Sequence, residues 1–134
     1  MATVLALLQE PDPTLDELLP FMAAGTDAEL LQRQTELLDL LGAVGRGRAA
    51  HWLAEILTAS ARQPGNVQQR LSDGRVRALA LMPAGRRNRL LDTYLDALKL
   101  LEPPLRERDL RLTRRSLRLV PRDRQQAIEA YLDR

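Results

Sequence analysis

The segment that decides the fold spans residues 86–102 and has the sequence RRNRLLDTYLDALKLLE. Its apolar residues recur every three or four positions, the spacing that places them on one face of an α-helix. The face predicted to pack inward holds Leu90, Leu91, Tyr94, Leu95, Leu98 and Leu101. Because proline cannot continue a helix, Pro103 is expected to end this one. The segment therefore predicts an amphipathic helix packed against a core.

The same helical spacing extends in both directions, and no sustained alternation of period two indicates a strand. Leucine dominates the apolar residues and aromatic residues amount to 3%, a composition that favours helices over sheets. A Thr followed three residues later by Glu is typical of a helix start, and this capping box occurs at Thr14 and at Thr26. We predict an all-α fold of six to eight helices arranged as successive hairpins.

Glycine and proline mark the expected joints between these helices. Asn66 is predicted to cap a helix that runs toward Met82, with a kink or a split at residues 72–74. Pro20 is predicted to break or kink the segment that follows Thr14. The last two helices are expected over residues 105–119 and 122–133.

One joint repeats along the chain. The pattern Leu79-x-Leu81-Met82-Pro83 recurs at an offset of 38 as Leu117-x-Leu119-Val120-Pro121, and Gly45-Arg46 matches Gly85-Arg86 at an offset of 40. Two helices in such a period are typical of HEAT-like and armadillo-like solenoids. A short solenoid of this kind and an irregular helical bundle both remain open as architectures.

Charge is divided unequally along the chain. Residues 1–45 hold eight acidic residues against Arg33 alone, a balance of −7, and residues 46–134 hold 19 basic residues against ten acidic ones, a balance of +9. Because 134 residues is an ordinary size for one domain, we predict a single helical domain over 1–134, acidic up to residue 45 and basic beyond it. No helix-stop signal follows Leu132, so a whole protein and a domain excised from a longer chain both remain open.

Few residues could carry catalysis. Cysteine is absent, and the single histidine, His51, is predicted to lie on the exposed side of its helix without partners. Asp92 and Asp96 lie one helical turn apart, but the flanking Arg89 and Lys99 favour a salt-bridged surface. The glycines at 42, 45 and 47 lack the preceding strand and the following Lys-Ser/Thr pair of a phosphate loop. We predict that the protein is not an enzyme and has no metal or cofactor.

The most informative helical face belongs to residues 105–119. At about 100° per residue, Leu105, Leu110, Leu112, Leu117 and Leu119 fall on one half of the helix, and five arginines share about a third of its circumference. Guanidinium groups bind phosphates and carboxylates bidentately. The predicted contact for an anionic partner or nucleic acid, named the arginine face below, comprises Arg108, Arg111, Arg114, Arg115, Arg118 and, past the turn, Arg122.

Three functions are compatible with these features. The leading interpretation is a non-enzymatic protein–protein interaction or scaffold module that binds a protein partner or a second copy of itself. The first alternative is sequence-nonspecific nucleic-acid binding, since Phe21, Trp52, Tyr94 and Tyr131 fall on apolar faces and leave no platform for stacked bases. The second is a small-molecule-sensing domain with a pocket between Leu-rich helices.

The acidic N-terminal helices suggest one further contact. We expect them to dock on the arginine face of the same molecule, which would mask it, or on that of a neighbour, which would give a homo-oligomer. The residues concerned are Asp12, Asp16, Glu17, Asp27, Glu29, Glu36 and Asp39.

The expected location is the cytoplasm. No stretch of the sequence approaches the ~20 apolar residues of a membrane span. The first ten residues lack the basic region and cleavage site of a signal peptide. We therefore predict no membrane partner.

Overall fold

The computed structural model describes residues 15–133. Within this range the chain forms seven α-helices and one 3-10 turn and no strand, which confirms the predicted all-α fold. The predicted cap at Thr14 lies outside the described residues. The helices are α1 (Leu15–Ala23), α2 (Asp27–Ala43), α3 (Arg46–Ser60), α4 (Gly65–Ala80), α5 (Ala84–Lys99), α6 (Pro103–Ser116) and α7 (Arg122–Leu132), with the 3-10 turn at Leu117–Leu119 between the last two.

Six of these helices begin at a constant interval. The N-cap residues of α2 to α7 are Thr26, Gly45, Pro64, Pro83, Glu102 and Pro121, so that successive residue numbers differ by 19 throughout. All six have negative φ with ψ between 146° and 166°, a conformation outside the helical region. The structural repeat is therefore one helix with its joint, and the period of 38 found in the sequence is two such units.

The joints form for local reasons. A proline disfavours helical geometry in the residue before it and has the fixed φ that suits a helix start, so Pro64, Pro83 and Pro121 each end one helix and begin the next. At Thr26 the predicted capping box is confirmed: Thr26 Oγ1 accepts from the Glu29 amide and Glu29 Oε1 accepts from the Thr26 amide, both at 3.1 Å. Asn66 is not the cap of α4, because Pro64 already precedes it.

The proposed match of Gly45 with Gly85 is wrong in register. Gly45 is an N-cap, whereas Gly85 lies inside α5 behind the N-cap Pro83. The match of the leucine joints is correct, since Pro83 and Pro121 are both N-caps with nearly identical backbone angles.

From α2 onward, each helix packs most extensively against a helix two positions away along the chain. α2 contacts α4, which contacts α6, and α3 contacts α5, which contacts α7, while α1 packs on α3 and α4. Two layers result, α2/α4/α6 and α3/α5/α7. Buried apolar side chains of the other six helices and Leu117 of the 3-10 turn form one continuous cluster, against which the partly buried Leu105 and Leu110 of α6 pack. This order of contacts is typical of helical-repeat arrays.

Two predicted interruptions are not observed. α4 is continuous through residues 72–74. Gly74 does not break the helix but allows α2 to approach closely, because a Cβ at this position would lie 2.8 Å from Leu30 Cγ and 2.9 Å from Gln34 Cγ. α1 likewise continues through Pro20, which is exposed, while its neighbours Leu18 and Leu19 are buried and hold the helix in place.

Candidate functional site

The arginine face is exposed. Its six residues all lie on the solvent side of α6, of the 3-10 turn and of the first position of α7. The structure therefore places every predicted contact residue on one accessible stretch of the chain.

On the opposite side of α6, the residues that are buried differ from those predicted. Of the five leucines expected to pack inward, only Leu117 is buried, and Leu119 is 47% exposed. The buried positions of α6 are instead Asp109, Thr113 and Ser116. These polar residues face inward because α4 presents polar partners to them, and buried polar groups are stable when they are hydrogen-bonded.

One polar network joins α4, α5 and α6. Tyr94 OH donates to Asp109 Oδ2 and lies 3.0 Å from Thr113 Oγ1. Arg75 Nη2 donates to the same Asp109 oxygen and to Thr113 Oγ1, both at 3.3 Å. Burial raises the pKa of the Tyr94 phenol far above its ordinary value, and the charge of Asp109 adds to the shift.

The three non-acidic members of this network are equivalent in the repeat. Arg75, Tyr94 and Thr113 occupy the same position in three successive units, because each has a residue number 11 above that of its N-cap. The corresponding residues of α2, α3 and α7 are Leu37, Ile56 and Leu132, which are buried and apolar. The same structural position is thus apolar at both ends of the array and polar in its middle.

A second network fixes α6 on α4. Ser116 Oγ donates to Asp73 Oδ1 at 2.7 Å and lies 2.8 Å from Ser72 Oγ. Gln69 Nε2 contacts both Asp73 Oδ1, at 2.8 Å, and Ser116 Oγ, at 3.1 Å. The helix that carries the arginine face is therefore held in a defined rotation.

The arginine face has little charge compensation. Arg108 Nε donates to Gln68 Oε1 at 2.8 Å and Arg115 Nη1 to Gln69 Oε1 at 3.3 Å, and neither amide carries charge. Arg114 forms an ion pair with Asp133 at 2.9 Å. In the described part of the chain, the remaining five members make no ion pair.

Four of the N-terminal acids form ion pairs with other arginines. The observed pairs are Asp16 with Arg62 at 3.2 Å, Asp27 with Arg70 at 3.2 Å, Glu29 with Arg33 at 3.6 Å, and Asp39 with Arg86. Among the described residues, no acid of α1 or α2 pairs with the arginine face, so for these acids the predicted masking within one molecule is wrong. The reason is proximity, because α1 and α2 pack on α3, α4 and α5. Asp12 lies outside the described residues.

A groove beside the arginine face exposes apolar surface. Leu81, Leu100 and Leu119 are 69%, 51% and 47% exposed and occupy the same place in three successive joints. Leu81 and Leu119 line one groove of about 420 Å³, named the leucine groove below. Its charged lining residues are Arg77, Asp123 and Arg124. The sequence repeat contained the equivalence of the two leucines, but their exposure was missed.

The residues considered for catalysis have other neighbours than expected. Asp96 pairs with Arg46 at 2.6 Å, and Asp92 accepts a hydrogen bond from Tyr131. The predicted salt-bridged surface is thus observed at Asp96, but its ion-pair partner is Arg46 of α3 and not Arg89 or Lys99. The hydrogen bond from Arg46 lowers the pKa of the Asp96 carboxyl. Among residues 15–133, no three His, Asp or Glu side chains are grouped to bind a metal ion.

Comparison of the chain with protein-family models, curated proteins and solved structures returned no match. None of the helices in the described range has the length and apolar character needed to cross a membrane.

Proposed function

We propose that this protein is a non-enzymatic helical-repeat module that binds an acidic, amphipathic segment of a protein partner in the leucine groove. The observation that carries the proposal is the presence of two exposed leucines, Leu81 and Leu119, in one groove lined by arginines.

Burial of the apolar surface of the groove would provide favourable free energy for binding. Burying a leucine side chain fully is worth about 1.5–3 kcal/mol. Leu81 is largely exposed in a groove that also contains Leu31 and Val120. A partner helix with apolar residues three or four positions apart would cover this surface, as helices in hydrophobic grooves do.

The charge around the groove favours an acidic partner. Arg77, Asp123 and Arg124 line the groove, and Arg118 and Arg122 flank Leu119 in the chain. Asp123 pairs with Arg124 at 3.9 Å, so the arginines around the groove outnumber this one carboxylate. Arg124 Nη1 donates to the Ala80 carbonyl oxygen, which fixes its guanidinium at the groove wall. Because complementary charge selects the partner and speeds association, Asp and Glu are expected around the partner's apolar stripe.

A designed peptide tests the proposal. The probe is a fluorescent helical peptide with leucines at i, i+3, i+4 and i+7 and glutamates elsewhere, compared with the same peptide carrying lysines. We expect saturable binding of the glutamate peptide alone, measured by fluorescence anisotropy. The variant Leu81→Ser/Leu119→Ser should weaken it about tenfold or more.

The chain contains a matched control. Leu100 is also exposed, at the equivalent position of the intervening joint, but it does not line the leucine groove. Leu100→Ser should leave peptide affinity unchanged. Equal losses in both variants, or no binding to the unmodified protein, would show that the groove is not the contact.

A second candidate function is sequence-nonspecific binding of a nucleic-acid backbone. It is favoured by the five members of the arginine face that make no ion pair in the described part of the chain. The described aromatic side chains are buried or partly buried, so contact would be with phosphates and not with stacked bases.

A salt series tests this candidate. Affinity for a fluorescent duplex should fall with salt at a log–log slope of roughly −4 to −5, as expected for about five phosphate contacts. The triple variant Arg111→Glu/Arg115→Glu/Arg118→Glu should abolish binding without loss of helicity. Binding that survives in this variant would exclude the arginine face as the nucleic-acid contact.

A further inference from the structure

The leucine groove has a counterpart earlier in the repeat. A second groove, of about 540 Å³, lies where the end of α2 meets the first half of α5, and the leucine groove lies where the end of α4 meets the start of α7. This second groove is named the upstream groove below. Because the N-caps recur at a constant interval, the two grooves can be compared position by position.

One ion pair in the upstream groove joins its two helices. Asp39, 13 residues beyond the N-cap of α2, pairs with Arg86, three residues beyond the N-cap of α5. The same two positions in the leucine groove hold Arg77 of α4 and Arg124 of α7. The leucine groove therefore has two arginines where the upstream groove has a carboxylate and an arginine.

The described chain compensates these two arginines only weakly. Arg77 makes no ion pair with any residue in the described range. Arg124 donates a hydrogen bond to the Ala80 carbonyl oxygen and pairs with the adjacent Asp123 at 3.9 Å. The Asp123 side chain is 80% exposed, and exposed ion pairs contribute little. Because a guanidinium has five N–H donors, both arginines retain donors for a second carboxylate.

Exposed apolar surface lies beside the two arginines. Leu81 is 69% exposed and follows Arg77 by one helical turn, and the Leu81 amide donates to the Arg77 carbonyl oxygen. The equivalent residue of the upstream groove is Ala43, which offers a much smaller apolar surface. A ligand that fits the leucine groove therefore has an apolar side chain and a carboxylate about one helical turn apart.

We propose that one aspartate or glutamate side chain of the partner binds between Arg77 and Arg124, in the position that Asp39 has in the upstream groove. The inference rests on the proposed function and adds a fixed register to it. The acid lies three or four residues from the apolar residue that packs on Leu81. Charge-assisted hydrogen bonds from two guanidinium groups hold it there, whereas the partner's other acids contribute only long-range attraction.

A series of peptides tests the register. Each peptide has the leucine pattern described above, one glutamate, glutamine at the other polar positions and blocked termini. We expect glutamate at one position, or at two positions one turn apart, to bind about tenfold more tightly than the all-glutamine peptide. Equal affinity at every position would overturn the register and leave the proposed function intact. Failure of the fully acidic peptide to bind would overturn both. Binding that requires an unblocked C-terminus would overturn the side-chain source of the carboxylate.

Three variants locate the carboxylate. Arg77→Asp gives the leucine groove the charges of the upstream groove and should lower the affinity of the best single-glutamate peptide to that of the all-glutamine peptide. Arg111→Asp makes the same charge change on the arginine face, outside the groove, and should leave affinity within about twofold. Asp123→Asn removes the competing acid and should strengthen binding about two- to threefold.

Circular dichroism verifies that each variant is folded. Arg77→Gln, which removes the charge without adding an acid, is measured alongside Arg77→Asp and should also weaken the best single-glutamate peptide. The proposal is overturned if Arg77→Asp and Arg111→Asp give equal losses, or if Asp123→Asn weakens binding.

Discussion

Tyr94 of α5 donates a buried hydrogen bond to the carboxylate of Asp109 on α6. Arg75 of α4 completes the contact by donating to the same oxygen. A charged pair and a phenol thus tie three helices together at the middle of the array. Their energetic role is accessible to mutation because each partner can be removed alone.

Removing Asp109 should cost far more than removing the phenol. Asp109→Ala leaves the Arg75 guanidinium buried without a counter-charge, for which about 3–5 kcal/mol is expected. Tyr94→Phe removes the hydroxyl that is hydrogen-bonded to Asp109 and Thr113 and should cost about 1–3 kcal/mol. Urea unfolding followed by circular dichroism measures both. The control is Asp133→Ala, which removes the partner of an exposed ion pair and should change the free energy of unfolding little. If Asp109→Ala lowers the free energy of unfolding no more than this control does, Asp109 does not have this role.

The close approach of α2 and α4 predicts opposite effects for two glycines. Gly74→Ala introduces a Cβ within 3 Å of Leu30 and Gln34, and overpacking of this kind costs about 1–3 kcal/mol. Gly85→Ala meets nothing nearer than 4.0 Å and should raise stability by up to about 1 kcal/mol through helix propensity. Thermal unfolding of the two variants compares them directly. Stabilisation by Gly74→Ala would mean that the two helices are farther apart than described.

Truncation of the two leucines in each joint should change the free energy of unfolding by different amounts. Leu117 is fully buried, whereas Leu119 is exposed. Leu117→Ala should cost about 2–5 kcal/mol, and Leu119→Ala should stay within about 0.5 kcal/mol. Leu79→Ala and Leu81→Ala repeat the comparison one pair of helices earlier. If the two variants of either pair lower the free energy of unfolding by similar amounts in chemical denaturation, the described burial is contradicted.

The Arg46–Asp96 pair predicts a pH effect. The hydrogen bond from Arg46 holds the pKa of Asp96 below its ordinary 3.8, and Lys99 adds a smaller contribution. Because the carboxylate is the form favoured in the folded state, its stabilisation is present above the unfolded pKa and is lost as pH falls through the folded value. Both side chains are solvent-accessible, so the effect on unfolding should be small.

An NMR titration of the Asp96 carboxyl measures that pKa. Arg46→Gln should return it toward 3.8, and Lys99→Gln should change it less. A larger effect of Lys99→Gln would mean that the neighbour on the same helix, and not the residue of α3, is the true partner.

Much of the fold could be predicted from local patterns. The inward-facing residues of α5 were identified correctly, because its apolar residues form one stripe and its charged residues lie outside that stripe, so that only one face can be buried. Proline joints were also recognisable. The repeating unit of one helix and its joint was not recognisable in the sequence. Its N-cap residue is Thr, Gly, Pro or Glu, and these N-caps share only their backbone conformation. A repeat defined by geometry is invisible when different side chains can produce it.

The orientation of α6 could not be predicted for a different reason. Hydrophobic periodicity assumes that the buried face is the apolar one, and here Asp109, Thr113 and Ser116 are buried because α4 supplies their partners. Such pairing depends on residues that are distant in the sequence, as Arg75 is from Asp109 and Asp73 from Ser116. The exposure of the arginine face was nevertheless predicted correctly, since arginine rarely loses contact with water. That the acids of α1 and α2 do not pair with this face could be known only from the positions of these two helices, and Arg114 alone among its residues has a carboxylate partner, Asp133, in the described range.

The constant interval between N-caps restricts how this chain can change in length. A helix belongs to one layer or the other according to whether its ordinal number is odd or even. Deleting one unit of helix and joint would transfer every later helix to the opposite layer and set its buried residues against unsuitable partners. Deleting two units restores the parity. Gain or loss of units within the array is therefore expected in steps of helix pairs, and internally shortened versions of the protein should fold only when an even number of units has been removed.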